Sequence, residues 1–213
     1  MRGWAFVLWV WVAAATAFAA EGDAPAVAQA RTLMASVKYK EAAKVLAAAL
    51  AKGQTDVETT RQLFELSGIV AGTLNRQEQA HGFFLRLLSV APEANLTKRF
   101  PPRVMTPFFE AKASIEKNGA LGFNVVPPRI KDERVTHLIV ELKRDPLALA
   151  RTVRLYWHDG DEEWQGVERP AALGALAFEV SGTHIEWHAV LVGENQVELV
   201  TLARRDMPLV ARP

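Results

Sequence analysis

The segment that decides the fold is LFELSGIVAGTLNRQEQAHGFFLRLLSVAP, residues 63–92. Its apolar and small residues recur at helical spacing in two runs, which are separated by a polar stretch around Asn75. This spacing places the apolar side chains of each run on one face of a helix. Pro92 ends the second run, because proline cannot continue the helical hydrogen-bond ladder. The segment therefore predicts a hairpin of two antiparallel helices, with Asn75 as N-cap of the second and Glu78 as its capping-box partner.

Small residues in both runs predict that the two helices approach each other closely. Gly68 and Ala80 lack bulk, and Phe84 would fill the space beside them. The segment resembles a tetratricopeptide repeat, which places bulky, small, aromatic and proline residues at fixed offsets. The residues that match these offsets are Phe64, Ser67, Gly68, Ala71, Ala80, Phe84 and Pro92.

A weaker copy of the pattern precedes this hairpin, with Ala42 and Leu46 at the corresponding positions. The resemblance covers residues 24–117 and implies an N-terminal helical-repeat domain. Helical periodicity further predicts helices over 24–37 and 39–52, ended by Gly53, and another helix capped by Thr106. An unrelated helical bundle with the same packing needs is the alternative.

Tetratricopeptide arrays often bind peptides along a groove lined by the first helix of each repeat. The resemblance implies that this groove would be lined by Val27, Arg31, Gln62, Glu65, Ile69 and Thr73. The lysine and asparagine set with which some family members clamp a C-terminal carboxylate is missing, which makes that mode of binding doubtful. The alternative is that two repeats form only a stalk or spacer.

The N-terminus has the layout of a secretory signal peptide over residues 1–20. Met1 and Arg2 give a short basic start, residues 4–15 are apolar or small, and Ala17-Phe18-Ala19 fits a cleavage site. We therefore expect export to the periplasm or cell envelope, with a retained anchor as the alternative.

Composition narrows the function classes. The 213 residues carry a formal net charge of +1, and 50% of them are hydrophobic. The length and the hydrophobic fraction allow two small domains, each with its own hydrophobic core. The nearly neutral charge gives no support for nucleic-acid binding. The chain contains no cysteine, which excludes disulfides, thiol catalysis and cysteine-ligated zinc.

The composition changes near residues 118–122, where β-branched residues and alternating patterns begin. Seven short strands are predicted, at 121–126, 135–142, 153–158, 164–168, 176–180, 184–192 and 196–202. The layout resembles immunoglobulin-like or fibronectin type III-like modules. We therefore predict a multidomain α and β protein, with a tetratricopeptide-like helical domain at 21–118 and an antiparallel β-sandwich at 119–213.

Two polar clusters in the β region could hold a metal ion. His184, Glu186 and His188 share one face of a strand, because alternate residues point the same way. One strand rarely closes a metal site, so a solvated outer face is the preferred interpretation. Asp159, Asp161, Glu162 and Glu163 lie in one turn, but their spacing does not fit a calcium loop.

The leading hypothesis is a non-catalytic envelope scaffold that binds a protein partner through the helical groove. We expect no cofactor, no metal, no enzyme activity and no membrane span after signal cleavage. A second hypothesis is the binding of an envelope glycan or small ligand by the β domain, through Tyr156, Trp157, Trp164 and Trp187. A third and weaker hypothesis is a metal-dependent enzyme that uses His184 and His188.

Overall fold

The computed structural model describes residues 24–97 and 100–213, so the predicted signal segment at 1–20 lies outside the described residues. The described chain is mixed α and β: helices come first and an antiparallel β region follows. The helices are α1 (Pro25–Ala35), α2 (Tyr39–Lys52), α3 (Val57–Thr73), α4 (Gln77–Val90) and α5 (Pro102–Asn118). Among these described helices, none is both long and apolar enough to cross a bilayer.

Consecutive helices pack against one another, and alternate helices also touch. The contacts α1–α3 and α3–α5 place three helices side by side, with α2 and α4 packed between their neighbours in sequence. The predicted hairpin corresponds to α3 and α4. Phe84 of α4 is fully buried, and a methyl group at Gly68 of α3 would lie 2.5 Å from the Phe84 ring.

The start of α4 differs from the prediction. Asn75 does not cap α4; it ends α3 in a left-handed conformation, with φ of 61°. Its N–H donates to the Gly72 carbonyl, and the Arg76 N–H donates to the Ala71 carbonyl. This is the hydrogen-bond pattern of a Schellman motif, for which asparagine is a common substitute for glycine.

Helix α5 begins earlier than the sequence suggests, at Pro102 instead of after Thr106. Pro107 therefore lies inside the helix, where its missing N–H leaves the Arg103 carbonyl without its helical donor. The Gln77 side chain of α4 donates to that carbonyl at 3.0 Å. A hydrogen bond from the neighbouring helix thus compensates for the proline.

The β region contains two antiparallel sheets. Its strands are β1 (Gly122–Lys131), β2 (Arg134–Arg144), β3 (Thr152–Asp159), β4 (Gln165–Pro170), β5 (Gly174–Gly182), β6 (Ile185–Val192), β7 (Glu198–Leu202) and β8 (Leu209–Ala211). Sheet A has the order β1-β2-β5 and sheet B the order β4-β3-β6-β7, with β8 also pairing with β6. Buried side chains of both sheets, among them Phe178 of β5 and Trp187 of β6, belong to one hydrophobic core.

Two features of the strands were not predicted. Pro127 and Pro128 lie within β1 instead of between two strands, and the β1–β2 register shifts between Val126 and Arg129. Proline is tolerated there because β1 is an edge strand of its sheet. The short β8 was missed, since three residues are too few to show a period.

The helices and the β region meet at a packed junction. Val90 and Ala91 at the end of α4 share an apolar cluster with Val197 and Leu199. Backbone hydrogen bonds cross the same junction: the Gln54 N–H donates to the Asn195 carbonyl at 2.9 Å, and the Glu198 N–H donates to the Thr55 carbonyl at 2.8 Å. The loop after α2 is therefore fixed to the β region by backbone as well as side chains.

Gly53 at this junction provides a stability test. Its φ is 66°, and a methyl group there would lie 1.6 Å from the Asn195 carbonyl oxygen. Gly53→Ala should lower the free energy of unfolding by about 2–4 kcal/mol, through backbone strain and overpacking. Urea unfolding followed by circular dichroism measures the change.

Gly82 is the matched control, because it lies inside α4 and a methyl group added there would have no atom within 4 Å apart from the adjacent residues and backbone of its own helix. Gly82→Ala should raise stability by about 0.8–1 kcal/mol, the usual helix-propensity difference. Equal unfolding midpoints for the two variants would contradict the close contact at Gly53.

Candidate functional site

The six residues of the predicted groove divide into two groups. Val27 and Ile69 are 0% and 4% exposed, and each belongs to a core cluster of the helices. Arg31 is exposed, whereas Gln62, Glu65 and Thr73 are half-buried. The apolar members therefore hold the helices together, and the polar members form the accessible part of the α1–α3 surface.

Glu65 is the most perturbed group of this surface. Burial raises the pKa of its carboxyl, the positive charge of Arg31 opposes this rise, and Glu58 adds to it. Gln62 is held by a hydrogen bond from its amide to the Glu58 carboxylate at 3.1 Å. The face thus presents a partly dehydrated carboxylate near a guanidinium, an arrangement suited to charge-assisted hydrogen bonds.

A second candidate site lies on the outer face of sheet B. Tyr156 of β3 pairs directly with His188 of β6, and their rings stack with centroids 4.9 Å apart. The Trp164 ring lies 5.1 Å from the His188 ring and 4.4 Å from that of His158. These four rings form an aromatic cluster on the side of the sheet away from the core.

The four aromatic residues proposed from the sequence as ligand contacts lie on opposite faces of sheet B. Trp187 is 3% exposed in the core, and Trp157 packs against the same core. Tyr156 and Trp164 lie on the outer face. Strand alternation indicated this division for Trp157 and Trp187, but it could not show that His158 and His188 would join the other two rings.

The aromatic cluster borders a cleft of about 550 Å³ between sheet B and the start of α3. Ligand sites of small molecules have comparable volumes. The cleft is lined by Asp56, Val57, Glu58, Tyr156, Trp164, His188, Val190, Glu198, Thr201, Arg204 and Arg205. Sequence reasoning missed this cleft, because no local pattern shows that residues 56–58 and 198–205 meet.

Burial perturbs two ionisable groups in the cleft. It lowers the pKa of His188, and the nearby charge of Arg205 lowers that pKa further. It raises the pKa of Glu198, with Asp56 adding to the rise and Arg154 opposing it. The Nδ1 atom of His188 is buried and has no hydrogen-bond partner among the described residues.

His184, Glu186 and His188, for which a solvated outer face is the preferred interpretation, do not gather around one point. Glu186 lies 3.2 Å from His158 Nε2 and 3.6 Å from His184 Nε2, while His188 stacks on Tyr156. Over residues 24–97 and 100–213, no group of three or more histidines and carboxylates is arranged to hold a metal ion.

The acidic turn has a structural use. The carboxylate of Asp159 accepts hydrogen bonds from the backbone N–H groups of Thr183 at 3.2 Å and His184 at 2.9 Å. Asp159 therefore joins the end of β3 to the turn before β6.

A third surface is a mainly apolar cavity of about 430 Å³ between α2 and α4, with α3 as its floor. Ala43 and Leu46 line it from α2, and Gln79 and Phe83 line it from α4. Arg76 and Arg86 also line this cavity. It is separate from both the predicted groove and the aromatic cleft.

The electrostatics of the cleft can be tested by histidine titration. Arg205→Ala should raise the pKa of His188 towards its ordinary value without fully restoring it, because burial remains. NMR titration of the His188 ring protons measures this. The control is Arg212→Ala, since Arg212 donates to His184 Nδ1 instead; an equal shift in both variants would contradict the assignment.

The same group should make stability depend on pH. The folded pKa of His188 lies below the unfolded value of about 6.5, so its contribution to stability is complete above that pH. Stability should fall as pH decreases from about 6.5 through the folded pKa, because the unfolded chain binds the proton first. His188→Gln should flatten the dependence of the unfolding free energy on pH in this window, and an unchanged slope would contradict it.

In comparisons with known proteins, no family model, curated protein or solved structure matches this chain. Its function is therefore inferred from the arrangement of its own residues.

Proposed function

We propose that this protein is a non-catalytic scaffold of the periplasm or cell envelope, exported through residues 1–20, that binds a protein partner on its helical domain. In this proposal α1–α4 are two tetratricopeptide-like repeats and α5 covers their open end. The order of helix contacts supports this, because α1, α3 and α5 lie side by side as the first helices of stacked repeats do.

The observation that carries the proposal is the polar surface shared by α1 and α3. Arg31 lies close enough to Glu65 to oppose the rise of its pKa. Gln62 and Thr73 extend the polar face along α3. A peptide that replaces the water lost around Glu65 with N–H donors would gain charge-assisted hydrogen bonds.

We further propose that the β region is an immunoglobulin-like or fibronectin type III-like sandwich. The shared core of sheets A and B supports this arrangement. Its attachment to α4 and to the loop after α2 would hold the helical surface in a fixed orientation. The β region would then support the helical domain and provide a second contact surface.

A second candidate function is the binding of an envelope glycan or small ligand by the β region. Tyr156 and Trp164 favour it, because both border the cleft on the outer face of sheet B. The metal-dependent enzyme has less support, since Glu186 lies between His158 and His184 instead of joining His184 and His188 at one site.

Site-specific photocrosslinking in intact cells tests the partner surface. A photoreactive amino acid at Gln62 should give a discrete crosslinked product, and Glu65→Lys in the same chain should abolish it by charge reversal. The control position is Gln79, which lines the separate cavity between α2 and α4. A product at position 79 with none at 62 would move the partner to the other cavity and contradict the proposal.

Glu65→Gln distinguishes binding from a structural role. At neutral pH it should raise the free energy of unfolding, because it removes a partly buried ionised carboxyl whose pKa burial raises. This gain should vanish below about pH 4, where the carboxyl is protonated in both states. Crosslinking at Gln62 should weaken in the same variant; a less stable variant with full crosslinking would contradict the assignment.

A further inference from the structure

We propose that the cleft between the start of α3 and the outer face of sheet B binds an uncharged oligosaccharide. The inference makes the second candidate function specific and is independent of partner binding on the α1–α3 surface. The site joins residues from both parts of the chain, which a site confined to the β region would not do.

The aromatic lining supplies the apolar contact that a sugar ring needs. Tyr156 and His188 stand as a stacked cross-strand pair, and Trp164 is inclined by 59° to the His188 ring. Aromatic rings in two orientations can contact the C–H groups of a pyranose on more than one side. Aromatic side chains also lose little conformational freedom on binding, since each has only two rotatable side-chain bonds.

The charges around the cleft argue against a strongly charged ligand. Acidic side chains come from Asp56, Glu58 and Glu198, and basic ones from Arg204 and Arg205. An anion would meet the carboxylates and a cation would meet the guanidinium groups, so neither sign is favoured across the whole site. Hydroxyl groups can instead accept from the guanidinium groups and donate to the carboxylates.

His188 contributes a ring nitrogen that makes no hydrogen bond within the described residues. Its Nδ1 is buried without a partner among the described residues, although the ring borders the cleft. Burial and Arg205 both favour the neutral imidazole, which offers one donor and one acceptor nitrogen. A buried polar atom without a hydrogen bond is costly, and because Nδ1 has almost no exposed surface in the free protein, a ligand hydroxyl removes that cost only if the ring turns Nδ1 towards the cleft.

The walls of the cleft are held in place before a ligand arrives. Glu198 lies on the β7 wall, and its backbone N–H donates to the Thr55 carbonyl next to Asp56. Asp56 in turn accepts from the Thr59 N–H and hydroxyl, each at 2.8 Å. Binding therefore requires little reordering of these walls, which favours affinity for a small ligand.

NMR of the purified protein tests the inference, with N,N′,N″-triacetylchitotriose, cellotriose and maltotriose as uncharged probes. At least one should shift the Trp164 indole N–H resonance in a saturable way at millimolar concentration. The core residues Trp157 and Trp187 are internal controls and should move little. Tyr156→Ala should weaken binding about two- to tenfold, the range expected for one lost aromatic contact.

Trilysine and triglutamate serve as charged probes of similar length. If either peptide binds saturably, with an affinity equal to or higher than that of the best sugar, the proposal that the ligand is uncharged is wrong. If none of the three sugars shifts the Trp164 resonance, the assignment of the cleft as a sugar-binding site is wrong.

Glu65→Lys should leave sugar binding unchanged, because Glu65 lies outside the cleft lining. In the unsubstituted protein, a crosslink at Gln62 without sugar binding, or sugar binding without that crosslink, shows which of the two proposals has failed. Loss of sugar binding in Glu65→Lys with the fold intact would contradict the independence of the two sites.

Discussion

The contact between Phe84 and Gly68 is the constraint on which the helical part depends. The ring of Phe84 occupies space that any larger residue at position 68 would fill, so α3 and α4 meet in one register. Phe84 also meets Phe108 of α5 edge-on, with ring centroids 5.3 Å apart. A single buried aromatic ring therefore fixes both neighbours of α4.

This packing extends to the β region through the end of α4. Val90 and Ala91 enter the apolar junction, and the Ser89 carbonyl accepts from the Leu121 N–H just before β1. These contacts, the direct packing of α3 against β7 and the hydrogen bonds of Gln54 and Thr55 together set the position of α3 relative to sheet B, and with it the width of the aromatic cleft. A change at the α3–α4 contact would thus alter the shape of a cleft to which neither Gly68 nor Phe84 contributes.

The sequence predicted the elements better than the sites. The α3–α4 hairpin, α2 at residues 39–52 and the core position of Trp187 all follow from local periodicity. The exposure of the predicted groove residues is harder to predict. The repeat offsets assign Val27 and Ile69 to a helix face, but they do not show how far the neighbouring helices bury that face. The cleft depends on contacts between distant residues such as Asp56 and Glu198, and no spacing rule encodes them.

The two prolines in β1 have a consequence for assembly. A long edge strand normally offers a row of free N–H and C=O groups to which another chain can add. Because the N–H groups of consecutive strand residues point to opposite sides, one of the adjacent prolines Pro127 and Pro128 removes a donor from the free edge. The shifted register next to them bends the strand. Copies of this protein are thereby discouraged from joining edge to edge into fibres, even when they are crowded together at high concentration.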